Sequence, residues 1–337
     1  MTTLTTCETA RARSHAYRIF SQLFDAGATG ETLPAVHLIP ELSAAAAELA
    51  DPDLAAAVHQ RLFGFNVFAH ESMFLSPDAL LGGPISEGVA QFMLQAGFDP
   101  GSSQNADHIA RELALLAFLC DGEAGALRDQ QTGEAEGMRA IQRDFLDGHL
   151  LRWLPGLDLA IRQQEEPFYA ALASLTLELA LDQRADLGDA PLNADIHFDL
   201  PAAPDPLSNQ QAGLSEVAAT LLVTAHSGIY LSRDDIGRLG RQHNLPTGFG
   251  SRRIMLTNLL RSAAEFDAIG ALTESMLAIA DRWQAGYSAL IDHPALAVQA
   301  IGQTWSQRVA STHRLLSQLA EAATSARTLT RTLSDCP

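Results

Sequence analysis

The residues best suited to chemistry in this sequence lie in QNADHIARELALLAFL, residues 104–119. Asp107 and His108 stand side by side where polar residues give way to an apolar helical run, and Glu112 follows His108 by four positions. Positions four apart share a helix face, so His108 and Glu112 could together hold a metal or accept a cationic partner. A purely structural alternative stays open: Asn105 caps the helix, Asp107 sits in its first turn at the positive end of the dipole, and His108 and Glu112 form a surface pair. A second stretch, AHESMFLSPDALLGG (69–83), is too dense in Ser, Pro, Asp and Gly to be an ordinary helix end. It is either a plain structured loop anchored by Phe74 and Leu75, or a binding loop beside a groove. In the binding case Phe68, Phe74 and Leu75 line an apolar pocket with Glu71 and Asp78 at its rim. In FLDGHLLRWLP (145–155), His149 and Trp153 are again four apart and read as core residues, with Trp153 also able to flank a peptide groove.

Several chemistries lack their required residues. A di-iron bundle needs Glu-x-x-His on two helices, and no Glu here is followed three residues later by His. There is no Gly-x-Ser-x-Gly elbow and no Gly-x-Gly-x-x-Gly after a strand. All 22 basic residues are Arg and none is Lys, which excludes Schiff-base chemistry and a Walker-type phosphate lysine. The net charge of −18 argues against general nucleic-acid binding and suits a basic partner. Cys7, Cys120 and Cys336 lie far apart with no Cys-x-x-Cys, which points to a reducing compartment. No signal peptide, twin-arginine leader or membrane span is expected, so the chain is read as cytoplasmic.

Helical periodicity dominates the elements that must position these residues. ARARSHAYRIFSQLFDAG places Ala16, Ile19, Phe20, Leu23 and Phe24 on one stripe ending at Gly27. DPDLAAAVHQRLFGF begins with an Asp cap and a first-turn Pro. PISEGVAQFMLQAGF and the run after Asp107-His108 form two further helices. MRAIQRDFLDGHLLRWL forms another, closed by Pro155 and Gly156, and Pro167 starts or kinks the next. Residues 185–213 carry four Pro, five Asp and no Arg, the composition of an acidic linker or long excursion. Within it NADIHFDL (193–200) is read as loop. Beyond it LSEVAATLLVTAHSGIYLSRDDIGRLGRQHNLP gives two helices, the second capped by Ser232 with Asp234 and Asp235 in its first turn. NLPTGFGS is a turn, and Arg252-Arg253 at the next helix start, where the dipole disfavours cations, points either to a tertiary or partner carboxylate or, the preferred reading, to a solvated pair. The fold class is all-α: a helical bundle over 1–184, a linker over 185–213 and a second helical region over 214–330, with the last eight or so residues frayed.

Taken in order, these segments resemble the TorD/DmsD/NarJ family of cytoplasmic chaperones for molybdenum-containing oxidoreductases. RSHAYRIFSQLFD is similar to the family's opening helix, and ESMFLSPDALLGG to its Glu-Ser-aromatic-Leu-Ser-Pro loop. ADHIARELALLAFL resembles its Asp-His-x-x-x-Glu-Leu helix, and FLDGHLLRWLPGL with FYAALASLTLELALD its following helices. Gln104-Asn105 replace the frequent Glu-Pro, and Ala69-His70 the frequent Pro-Tyr, which bears on client specificity. The resemblance implies a chaperone that binds the twin-arginine leader and the apo-form of a molybdoenzyme catalytic subunit. It would assist cofactor insertion and delay export until the client is folded. It implies no catalysis, no resident metal or cofactor, no nucleic-acid partner and no stable membrane insertion. The peptide site it implies comprises Asp107 and His108 with the loop at Glu71, Ser72 and Leu75, supported by Glu112 and Trp153. A long hinge would allow helix exchange and so a homodimer. Two other readings stand beside it: a metal-dependent helical enzyme using His108, Glu112 and His149, and a non-catalytic helical adaptor hinged at the acidic linker.

Overall fold

In a computed structural model of the protein, residues 6–49, 51–101, 105–189, 198–208 and 213–334 are described. Among them the chain is all-α, with no strand and one isolated antiparallel bridge between His70 and His108. It divides into two compact units. The first comprises residues 1–76, 80–198 and 293–301; the second comprises 77–79, 199–292 and 302–337.

The first unit is built on α1 (Thr6–Ala26). Its buried line runs through Ala10, Ser14, Tyr17, Phe20, Leu23 and Phe24. Ala16 and Ile19, expected at its centre, are only half-buried because the stripe is turned toward Tyr17. The helix stops at Gly27, whose φ of +77° favours glycine. Two short helices follow, α2 (Leu33–Val36) and α3 (Pro40–Ala46). α4 (Pro52–Arg61) is capped as its sequence demands: Asp51 accepts from the amides of Asp53 and Leu54. α5 (Glu71–Leu75) is one helical turn, so ESMFL opens as helix before the loop begins. α6 (Gly83–Gln95) and α7 (Ile109–Arg128) come next. α1 packs along α7, and small residues let them approach: Ser14 Oγ donates to the Ala117 carbonyl at 2.9 Å and Ser21 Oγ to the Ala110 carbonyl at 2.7 Å.

α8 (Thr132–Phe145) runs through a widened π turn, Leu146–Leu150, into α9 (Leu151–Arg162). Pro155 and Gly156 therefore lie inside a helix and do not close one. Pro155 lies in α9, which follows directly on the π turn, where the ladder already departs from its regular pattern. α10 (Pro167–Leu187) opens on Pro167 at its first turn, as expected. A buried polar relay ties α1, α10, α8 and α7 together. Tyr17 donates to Gln183 at 2.6 Å, Gln183 to Gln142 at 2.6 Å and Gln142 to Glu123 at 2.9 Å. Cys120 is fully buried, and burial pushes its thiol up to about 12, the condition of an inert small hydrophobe.

The second unit contains α11 (Leu214–Leu222), α12 (Thr224–Ser227), α13 (Arg233–Gln242), α14 (Arg252–Glu265), α15 (Ile269–Ser288) and most of α16 (Leu296–Ser334). The segment expected to hold two helices holds three. Val223 turns extended between α11 and α12, and Gly228 ends α12 with a φ of +73°. Ser232 forms the expected cap: its Oγ accepts from the Asp235 amide at 3.0 Å while Asp235 accepts from the Ser232 amide at 2.8 Å. Arg252 is not solvated as expected. Its guanidinium lies 4.7 Å from the centre of the Tyr230 ring and donates to the Leu231 carbonyl. Tyr287 stacks on Trp305 with centroids 5.4 Å apart in the core. Residues 193–197 of the expected loop and Cys336 lie outside the described residues, and Phe198–Leu200 have no regular structure.

Candidate functional site

The two stretches singled out by their residue types meet in the first unit. The loop ahead of α5 pairs with the loop ahead of α7 through the His70–His108 bridge: Glu71 N donates to Asp107 O, and Ile109 N donates to Ala69 O, each at 2.9 Å. This fixes Asp107 at the mouth of α5 as well as α7. Its Oδ2 accepts from the Ser72 amide at 3.0 Å, and Oδ1 lies 3.5 Å from His70 Nδ1. The α5 cap residue, His70, supplies no side-chain acceptor of its own. Asp107 thus caps the wrong helix by sequence and the right one in space. Asn105 does not cap α7; His108 does, with Nδ1 accepting from the Ala110 amide at 3.3 Å.

Burial acts first on each titratable group, and its neighbours then decide. Asp107 is fully buried. Burial alone would raise its carboxyl, but hydrogen bonds from His70, Ser72 and Ser86 outweigh that and hold it at about 2. For His108, burial and then the nearby His70 lower the imidazole to about 3. A neutral ring is what the cap requires, since only a deprotonated Nδ1 accepts. Glu112 is fully buried. Burial, then the charge of Glu71, raise its carboxyl well above the ordinary range, against a hydrogen bond from Trp153 Nε1 to its Oε2 at 3.2 Å.

Around this centre the expected residues are sorted by depth. Ser72, Asp107, Glu112 and Trp153 are inaccessible to solvent, and Glu71 is 3% exposed. Glu71 is therefore not at a rim. It is drawn inward by His149, whose Nδ1 lies 3.2 Å from Glu71 Oε2. Phe74 is also buried, with its ring centroid 5.5 Å from that of Trp153. Leu75 is half-buried at the end of α5, and Ser72 Oγ accepts from the Gly82 amide, pinning the start of α6. Of the resemblance-implied set, His108 and Leu75 retain part of their surface.

His108 also lines a cavity of about 210 Å³ together with Asp25, His59, Phe63, His70 and Arg111. Sequence reasoning missed all of these but His108. Phe63 sits in a second π turn, Leu62–Asn66, and His149 in the π turn Leu146–Leu150. Such turns re-aim side chains and gather at functional sites. A signal existed: each has a glycine at its centre, Gly64 and Gly148, inside an otherwise helical run. His59 holds its place through a 3.1 Å contact from Nε2 to the Phe24 carbonyl. Among the described residues no three His, Cys, Asp or Glu side chains are placed to hold a metal ion. His108 and Glu112, the suggested ligand pair, are engaged with the Ala110 amide and the Trp153 indole instead. No helix among the described residues is long and apolar enough to cross a membrane.

Comparison with known proteins places this site in context. A family model described as nitrate reductase delta subunit matches residues 31–158. The chain is 40% identical over 85 residues to the chlorate reductase assembly chaperone protein of Ideonella dechloratans, covering 25% of this chain and 42% of the relative. It is 39% identical over 83 residues to the selenate reductase assembly chaperone protein of Thauera selenatis, covering 25% and 42%. The chain thus spans less than half the length of these curated relatives. No solved structure matches it. The whole of α5, the Asp107–Glu112 segment and the His149–Trp153 turn fall within residues 31–158.

Proposed function

We propose, from the match of residues 31–158 to the nitrate reductase delta subunit model and from the similarity to two reductase assembly chaperones, that this chain is a NarJ/TorD-type molybdoenzyme maturation chaperone, cytoplasmic and not a catalyst. Its client is a molybdenum-containing reductase in its apo-form, of the kind that acts on oxyanions such as chlorate or selenate. It holds the client's twin-arginine leader at the cavity beside His108, delaying export until the cofactor is in place. The second compact unit, which takes in residues 199–292 and the chain from 302 onward, is a helical domain appended to the chaperone unit.

The observation that carries this reading is the His70–His108 bridge, which joins the starts of the two resemblance-bearing stretches, with His70 and His108 both lining one cavity. The residues there divide the work. Asp107, Ser72, Glu71, Glu112 and Trp153 are buried and set the geometry. His108, His70, Phe63 and Asp25 present rings and a carboxylate to a ligand. The neutral His108 ring and the Phe63 aromatic face beside the Asp25 carboxylate suit a guanidinium, through stacking and a charge-assisted hydrogen bond. Arg111, also in the lining, repels a cation, so the guanidinium is assigned to the Asp25 side.

The test is calorimetric titration of the full chain with synthetic leaders encoded near its own gene, each against a Lys-Lys control. One Arg-Arg leader is expected to bind saturably, and the Lys-Lys version about tenfold or more weakly, because lysine lacks the planar fork. Asp25→Asn is expected to weaken the Arg-Arg leader by a similar factor. Absence of binding to every leader, or binding indifferent to both changes, would reject the pocket assignment.

A further inference from the structure

The second unit contains a cavity of about 480 Å³ whose chemistry the chaperone reading does not use. Its wall is one face of α16, where Arg308, Ser311, Thr312 and Leu315 recur at helical spacing. His226 of α12 and the Pro204–Pro206 segment complete it. We infer that this cavity binds the phosphate group of a small organic phosphate.

Charge is the first argument. Arg308 is half-buried, and neither it nor Arg314 belongs to an ion pair among the described residues. Arg308 Nη2 donates to the carbonyls of Leu200 at 3.4 Å and Pro201 at 2.8 Å. Those neutral acceptors fix the guanidinium without neutralising it, and burial lowers its pKa. In a chain of net charge −18, a half-buried arginine without a carboxylate is an unspent attraction for an anion.

Convergence of donors is the second. Arg314 Nη2 reaches back to Ser311 Oγ at 2.9 Å, so its remaining N–H groups are held over the same face. For His226, burial and then Arg308 lower the imidazole pKa, against the pull of Asp78, and the ring still offers an N–H. The carboxylate in the lining, Asp205, is exposed and uses Oδ1 to accept from the Leu207 amide in its own turn. A planar guanidinium fork matches a phosphate bidentately.

Size is the third. The cavity is several times larger than a phosphate ion and falls in the range of small-molecule sites. Leu315, Pro204 and Pro206 supply the apolar surface against which an organic body would lie.

The test is calorimetry on the full chain with AMP, inorganic phosphate and adenosine as probes. Saturable AMP binding, displaced by inorganic phosphate and absent for adenosine, is expected. Arg314→Gln, on an exposed side chain, is expected to weaken AMP about tenfold, and Arg308→Lys, which keeps charge but not the fork, by a similar factor. Thermal unfolding of each variant identifies any loss of fold, and the exposed Arg314 position keeps the test decisive if Arg308→Lys is unstable. The inference is overturned by any of three results: no saturable binding of AMP or phosphate up to roughly 10 mM, adenosine binding as tightly as AMP, or AMP binding unchanged in folded Arg314→Gln.

Discussion

The two units differ most in what they bury. Among the described residues the first encloses five acidic side chains, Glu71, Asp107, Glu112, Glu123 and Asp158, whereas the second encloses one, Asp235. Asp235 has a local task, completing the Ser232 cap and meeting Arg238 at 2.7 Å. The second unit otherwise rests on aromatic and aliphatic packing around Trp283, Tyr287 and Trp305. In the first unit the acids join segments far apart in sequence: Asp107 to Ser72, Glu71 to His149, Glu112 to Trp153. Buried charge is an expensive way to hold a fold and an effective way to fix one geometry. The contrast identifies the first unit as the one whose shape is specified residue by residue.

The largest expected effect breaks that specification. Asp107→Ala leaves the Ser72 amide and His70 without their acceptor in a buried site, and should destabilise the first unit by about 3–5 kcal/mol in urea unfolding. A loss under about 1 kcal/mol would mean that the charge is incidental. The counterpart in the second unit is steric. Gly228 has a φ of +73°, and a Cβ there would stand 2.7 Å from Val309 Cγ2 and 2.8 Å from the Val309 amide. Gly228→Ala should cost about 2–3 kcal/mol through strain and overpacking, with no change in pH dependence.

Acid should separate the units next. His108 has a folded pKa of about 3, below its ordinary 6.5, and Asp107 one of about 2, below its ordinary 3.8. In both the unfolded chain takes up protons first. Their stabilisation is complete above the unfolded values and is lost as pH falls, from 6.5 toward 3 for His108 and from 3.8 toward 2 for Asp107. The His108 window alone should give a slope approaching 1.4 kcal/mol per pH unit. His108→Gln should flatten it in urea unfolding curves of a Trp283→Phe, Trp305→Phe background, in which Trp153 is the remaining tryptophan; an unchanged slope would place the acid sensitivity elsewhere.

What was legible in the sequence follows the range of the interaction. Asp51, Pro167 and Ser232 act within one helical turn, and their cap or first-turn positions are readable directly. The all-α class follows from periodicity. Asp107 was legible as a helix-mouth carboxylate, but its helix, α5, begins 36 residues earlier in the chain. Glu112 follows His108 by four positions, but its carboxyl is buried against Trp153 while His108 lines the cavity, a separation that spacing does not reveal. The cavity is formed by Asp25, His59, Phe63, His70 and Arg111 from separate segments. No local pattern joins these, although the central glycines of the two π turns mark where the helix departs from its period. Pro155 misled because a stop signal at proline presumes a regular ladder before it, and the Leu146–Leu150 turn is not regular.

The smallest effect has the opposite sign and separates two kinds of buried acid within one site. Asp107 is held ionised by donors, whereas Glu112 is pushed toward its protonated form by burial and by Glu71. A raised folded pKa means that Glu112 supports the fold fully below its ordinary 4.5. That support is lost as pH rises toward the folded value, because the unfolded chain releases its proton first. Glutamine mimics the protonated acid and can still accept from the Trp153 indole. Glu112→Gln should therefore stabilise the first unit by about 1 kcal/mol at pH 8 and leave it nearly unchanged at pH 4. Asp107→Asn should destabilise at pH 8, since an amide must turn one donor toward the groups that now donate to it. If both substitutions destabilised equally at pH 8, Glu112 would be ionised in the folded protein, and the two acids would be one kind.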